Sequence, residues 1–133
     1  MSTAQTQRNL GSDTVTDGIR VTVRPQFLRE QSAPEQGKWV FAYHVGIRNE
    51  SASPARLRRR RWLIVDADGE SHQVDGEGVV GHTPRLLPGG EFQYASYCPL
   101  ETIWGTMEGA FIFERDDQST FEARIGRFYL VGE

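Results

Sequence analysis

VDGEGVVGHTPRLLPGGEFQYASYC, residues 74–98, contains two kinds of chain punctuation followed by one plain strand. The run opens on a strand end at Val74 and enters a glycine-rich segment, Gly76-Glu77-Gly78-Val79-Val80-Gly81. It turns at Pro88-Gly89-Gly90 and then alternates, with Phe92, Tyr94 and Ser96 on one side. Strict period-two alternation marks a strand with one dry face. The six residues of the glycine segment match G-x-G-x-x-G, the dinucleotide fingerprint. That fingerprint works only between a strand and a helix, whose N-terminal N–H groups hold a pyrophosphate. Here Thr83-Pro84 and Leu87-Pro88 leave no room for a helix, so the stretch predicts a β domain with a long inter-strand loop.

The same grammar continues downstream. Residues 100–106 read as a connection, and Met107, Gly109, Phe111 and Phe113 as the inner positions of a strand. Asp116-Asp117-Gln118-Ser119 is a turn. Phe121, Ala123 and Ile125 start a last strand, and Phe128 and Leu130 resume it after a phase shift at Gly126. Upstream, Asp66-Ala67-Asp68-Gly69 reads as a hairpin turn with Gly69 at positive φ. It joins a strand over 56–68 to its partner over 70–74. The 56–68 strand mixes Arg56, Arg58, Arg59, Arg60 and Arg61 with Trp62, Leu63, Ile64 and Val65; Trp62 and Ile64 are expected to face inward. Trp39, Phe41, Tyr43, Val45 and Ile47 form the dry face of a further strand, which ends in a turn over 49–54. Residues 29–38 are a polar loop. Val15, Ile19, Val21 and Val23 alternate with polar residues, which predicts one strand carrying a bulge at Asp17-Gly18 and ended or edged by Pro25. Residues 1–12 are small and polar and are expected to be a disordered tail, leaving one domain over 13–133.

Seven or eight short strands with turns between them and no helical stripe predict an all-β fold, an antiparallel two-sheet sandwich. Without a Cys–Trp–Cys pattern an antibody-type domain is excluded, and a fibronectin type III-like or other immunoglobulin-like sandwich is expected. Fifteen basic and eighteen acidic residues give a net charge of −3, too balanced to suggest nucleic acid or a membrane surface as partner. No apolar run reaches eighteen residues, and no signal peptide is evident. The lone Cys98 excludes an internal disulfide, and the expected location is cytoplasmic.

Three features could carry chemistry. Backbone N–H groups of Gly76, Glu77, Gly78 and Gly81 could cradle a phosphate as a nest does, although loop glycines mostly serve backbone geometry. Arg58 or Arg60 could add a guanidinium fork for phosphate oxygens, because the intervening hairpin returns Val74 beside their strand; a solvated or edge-protecting charge run is the default reading. His44, His72 and His82 lack ligand spacing. Asp66, Asp68, His72 or Glu77 could assemble a metal site in space, but Asp66 and Asp68 suit the turn better, and no metal ligand or cofactor is expected. Cys98 and Ser96 lack the partners of a nucleophile; Glu77, Glu91, Glu101 and Glu108 could pair in space as acid and base, although scattered surface glutamates are the norm.

GEGVVG, followed by TP, LLPGG and FQYAS, then LETIWGTMEGAF over 100–111, resembles the ApaG family over about residues 14–131. His82 and Ile103-Trp104 depart from the family pattern in loop detail. The resemblance implies a single β-sandwich domain that stands alone in bacteria. In some eukaryotic proteins a similar domain is appended to F-box or DNA-polymerase-delta-interacting partners. It further implies a non-enzymatic module that binds other proteins, and a link to cobalt and magnesium efflux. An unidentified protein is the expected partner, met by a surface that includes the Gly76–Gly81 loop, His82 and the adjacent arginines, and a homodimer through an edge strand or an apolar sheet face is plausible. The alternative is a phosphate-bearing small molecule, a nucleotide or other polyphosphate, at the glycine loop.

Overall fold

The structure is a computed structural model that describes residues 9–133. Nine strands follow in order: β1 (Ser12–Thr16), β2 (Ile19–Phe27), β3 (Trp39–Asn49), β4 (Ala55–Asp66), β5 (Ser71–Glu77), β6 (Arg85–Leu86), β7 (Glu91–Leu100), β8 (Trp104–Arg115) and β9 (Thr120–Val131). Two antiparallel sheets result, β1-β2-β3-β7 and β5-β4-β8-β9, with the two-residue β6 continuing β5's side of β4. The chain is therefore an all-β two-sheet sandwich, as the alternation predicted. Two short 3-10 turns, Arg29–Gln31 and Pro34–Gln36, interrupt the polar loop before β3.

Between the sheets lie Ile19, Val21, Val23, Phe41, Tyr43, Val45 and Ile47 from the first, and Leu57, Trp62, Met107, Phe111, Phe113, Ile125, Phe128 and Leu130 from the second. Burial of these groups is the main favourable term of folding. Aromatic rings meet edge-on around Trp62, 5.3 Å from Tyr43, 5.8 Å from Phe128 and 6.2 Å from Phe111 between centroids. Such geometry adds to burial.

Three local expectations need correction. Asp17-Gly18 is no bulge. The two residues have φ of 50° and 81° and close a two-residue hairpin in which Thr16 pairs with Ile19. Two-residue hairpins favour such positive angles. Cross-strand partners share a face, so Val15 points outward with Arg20 while Thr14 points inward with Val21. The second concerns the arginine strand: Trp62 and Ile64 face inward as expected, but Arg58 does not share their face. A β-bulge between Leu57 and Arg59 shifts the phase of β4 by one residue. Leu57 and Trp62 are consequently both buried although their parity differs. Arg58 and Arg59 are exposed, whereas Arg60 turns inward and is half-buried. Third, the tail expected over 1–12 falls largely outside the described residues, but its end is ordered. Ser12 begins β1, and the carbonyl of Leu10 accepts a 2.8 Å hydrogen bond from the amide of Tyr129. The phase shift at Gly126 is present, as a register shift between Met107 and Gly109 on the partner strand.

The two open sides of the sandwich differ. On one, β9 comes up against the first hairpin: the amide of Arg124 donates to Thr16 Oγ1 at 3.1 Å, and a Cβ at Gly126 would meet Thr14 Oγ1 at 2.5 Å. On the other, β7 lies over β8, with Tyr94 and Phe111 ring centroids 6.5 Å apart and Leu100 Cδ1 2.9 Å from where a Gly105 Cβ would stand. β5 projects beyond β7, and its inward residues stay uncovered.

Candidate functional site: the open side of the sandwich

The glycine segment closes the upper part of this open side. Gly76 and Glu77 belong to β5, opposite Arg60 and Arg59, so the connecting loop is shorter than the sequence suggested. Gly78, at φ 65°, donates its amide to the Arg58 carbonyl at 2.8 Å. Val79 and His82 exchange backbone hydrogen bonds of 2.8 Å around Val80 and Gly81, whose φ angles are 42° and 84°. This tight reverse turn drives Val79 fully into the core between the sheets. The His82 ring covers Phe92 at 5.7 Å between centroids. The loop is a plug made of backbone geometry and one valine.

Of the residues singled out from sequence, Gly76, Glu77, Gly78 and Arg60 come together, while Arg58 and Gly81 stand apart. Arg60 Nη1 donates to the carbonyls of Glu77 at 3.0 Å and Gly78 at 2.9 Å. The guanidinium thus braces the loop from beneath. Its partners are carbonyl oxygens, and the amides of Gly78, Val79 and His82 are already donors within the chain. The Arg58 side chain leaves on the outer face, where Nε donates to Glu114 Oε1 at 2.7 Å. Gly81 sits at the exposed tip, and Glu77 is also exposed.

Below the plug the side stays open as a cleft of about 740 Å³. Tyr43, Trp62 and Met107 form its floor, His72 and Val74 of β5 one rim, and Ser96, Cys98 and Leu100 of β7 the other. Val74 is 38% exposed although it pairs directly with the buried Trp62. The cleft is electrically graded: Arg60 stands at its upper end, while at its lower end Asp66, Glu70 and Glu101 outnumber Lys38. Only Nη1 of Arg60 has acceptors among the described residues, leaving Nε and Nη2 without one. Near this end the Tyr94 hydroxyl is buried without a partner, and burial raises the pKa values of Tyr43 and Tyr94. Burial likewise pushes the Cys98 thiol up to about 11, which keeps it protonated and unreactive at neutral pH.

Asp66 Oδ1 accepts the amides of Asp68 and Glu70 at 2.9 and 3.0 Å and so shapes its turn. Among the described residues no group of three or more His, Cys, Asp and Glu side chains could hold a metal ion, and no helix is long and apolar enough to cross a membrane. The cleft was not foreseen from sequence. Its signal was the exposed Val74 opposite Trp62, which only becomes informative once the register of β4 and β5 is known.

These features define a small all-β sandwich domain, sealed along one side and recessed along the other. The ApaG domain profile matches residues 29–115. The chain is 48% identical over 120 residues to Protein ApaG of Anaeromyxobacter dehalogenans, covering 90% of this chain and 94% of that one. It is 50% identical over 112 residues to Protein ApaG of Xanthomonas campestris pv. campestris, covering 84% and 88%. A crystal structure of a protein described as ApaA from Bordetella pertussis superposes with a TM-score of 0.84 at 41% identity, covering 86% of this chain and 93% of that one. The chain belongs to the ApaG family.

Proposed function

We propose that this chain is a non-enzymatic protein-binding module that takes up an extended segment of a partner on the open side of its sandwich. The observation that carries this reading is the mismatch between the layers there. β7 has no strand on its outer edge among the described residues, and the inner face of β5 has none above it. An unpaired edge offers a row of N–H and C=O groups to another strand, and side chains alternating along that strand confer specificity. A segment added to β7 would lie over Val74 and the rim of the aromatic floor. In this reading the association of the family with cobalt and magnesium efflux is carried by the partner that the module recruits. A phosphate-bearing ligand at the 76–81 loop has less support, since three of the loop's amides are donors within the chain and Arg60 faces carbonyl groups.

Site-specific photocrosslinking tests the proposal. A photoreactive phenylalanine analogue at Tyr97, on β7 and 67% exposed, is expected to yield protein adducts in cells. The same group at Tyr129, on β9, is expected to yield none. Val74→Lys, which puts a charge on the cleft rim, is expected to suppress the Tyr97 adducts. Adducts at Tyr129 alone, or adducts at Tyr97 that Val74→Lys leaves untouched, would move the interface elsewhere.

A further inference from the structure

Arg60, Trp62, Ile64 and Asp66 follow one another down the inner face of β4 and line the cleft from its upper to its lower end. Their spacing of two residues is the spacing at which an extended chain presents side chains to one face. A strand laid on β7 would therefore offer four successive inward side chains to three different surroundings. The first meets Arg60, a half-buried guanidinium whose Nε and Nη2 have no acceptor among the described residues. The middle two meet Ile64 of β4 with Val74 and His72 of β5, above the buried Trp62 and Met107. The last meets the carboxylates of Asp66, Glu70 and Glu101, whose three negative charges outweigh the single positive charge of Lys38 beside them. Burial strengthens a charge-assisted hydrogen bond and penalises a mismatched one.

We infer that the segment received in the cleft carries an acidic side chain opposite Arg60, two apolar side chains opposite Trp62 and Ile64, and a basic side chain opposite Asp66 and Glu70, at intervals of two residues. This rests on the strand-addition reading and specifies its partner's chemistry. Every strand pair among the described residues is antiparallel, and the added strand is assigned the same sense. β7 descends from the Arg60 end toward Leu100, so the partner ascends and reads base-x-apolar-x-apolar-x-acid from its N-terminus. An acid placed at the upper end completes the fork of Arg60, whereas a base placed there would sit against the guanidinium.

The test uses the full chain and two end-blocked peptides, Lys-Thr-Val-Thr-Leu-Thr-Glu and its charge-exchanged form Glu-Thr-Val-Thr-Leu-Thr-Lys. Binding is followed by NMR titration, and amide exchange along β7 reports strand addition itself. The first peptide is expected to bind at least tenfold more tightly than the second and to protect β7 amides. Arg60→Glu is expected to narrow or reverse that preference. Because Arg60 also braces the loop, Glu101→Lys at the exposed lower end serves as an independent variant and should likewise reduce the preference. Equal binding of both peptides with β7 protected would overturn the charge pattern while leaving strand addition standing. Binding of neither peptide, or binding without β7 protection, would overturn the proposal. So would sedimentation equilibrium showing a dimer joined through β7, since a second copy would then occupy the edge.

Discussion

The guanidinium of Arg60 occupies the space that a side chain on Gly76 would need. A Cβ at Gly76 would stand 2.8 Å from Arg60 Cζ and Nη2 and 2.9 Å from Nη1. The two residues are register partners on β4 and β5, so the bare glycine at 76 leaves room for the arginine folded inward at 60. Gly76→Ala should push the guanidinium aside and weaken its two bonds to the loop carbonyls, at a cost of up to about 1.5–3 kcal/mol, the range for hydrogen bonds to charged groups. Thermal or urea unfolding measures this, and an unchanged midpoint would show that Arg60 does not brace the loop.

Gly78→Ala should cost more than Gly76→Ala. Gly78 has φ 65°, and a Cβ there would lie 2.5 Å from the His82 carbonyl oxygen, which is backbone and cannot swing away. Left-handed backbone alone costs an L-residue roughly 1–2 kcal/mol. The comparison is made by urea unfolding of both variants, and the order of their midpoints decides it.

Asn49 is a fully buried polar residue. Its Nδ2 donates to the carbonyls of Ser53 and Leu86 at 2.8 and 2.9 Å, and its Oδ1 accepts from the amide and hydroxyl of Ser51 at 2.9 and 2.6 Å. The side chain ties the end of β3 to β6. Asn49→Ala leaves those groups unpaired, and a loss of about 3 kcal/mol in chemical unfolding is expected.

The Cys98 thiol predicts an alkaline weakness. Burial raises its pKa from 9.0 to about 11 in the folded chain. Between these values the unfolded chain has released its proton while the folded chain still holds it, so stability falls with rising pH. The contribution is intact below pH 9 and is lost as pH climbs toward 11, by roughly 3 kcal/mol. Melting midpoints from pH 8 to 11 should fall less steeply for Cys98→Ala than for the unaltered chain. Parallel curves would refute the assignment.

Trp62→Ala should cost about 3–5 kcal/mol, since it removes the ring that Tyr43, Phe111 and Phe128 surround. Near-ultraviolet circular dichroism and unfolding together check this.

How much of this was legible in the sequence depended on parity. Trp39 to Ile47 and Phe92 to Ser96 hold a constant phase, so their dry faces could be read directly. Gly126 announces its own shift, because the apolar positions visibly change from odd to even around it. The bulge in β4 gives no such sign: arginines flank it, and Leu57 and Trp62 then seem to favour opposite faces. The hairpin at Asp17-Gly18 misled for the converse reason. A two-residue turn keeps odd numbers odd, so Val15 appeared to continue the face of Ile19 although the chain had reversed. For the site, the meeting of Arg60 with the glycines followed from hairpin register. The cleft did not, because it arises from how far β5 projects past a strand in the opposite sheet.

The seam between the first hairpin and β9 carries a kinetic consequence. The carbonyl of Leu10 waits for the amide of Tyr129, and Thr16 for Arg124. During synthesis the N-terminal strands leave the ribosome long before their neighbour does. Closing so large a loop is slow, and until it closes the early strands have bare rims. The rim of the first hairpin is therefore covered last, and β9 acts as its latch.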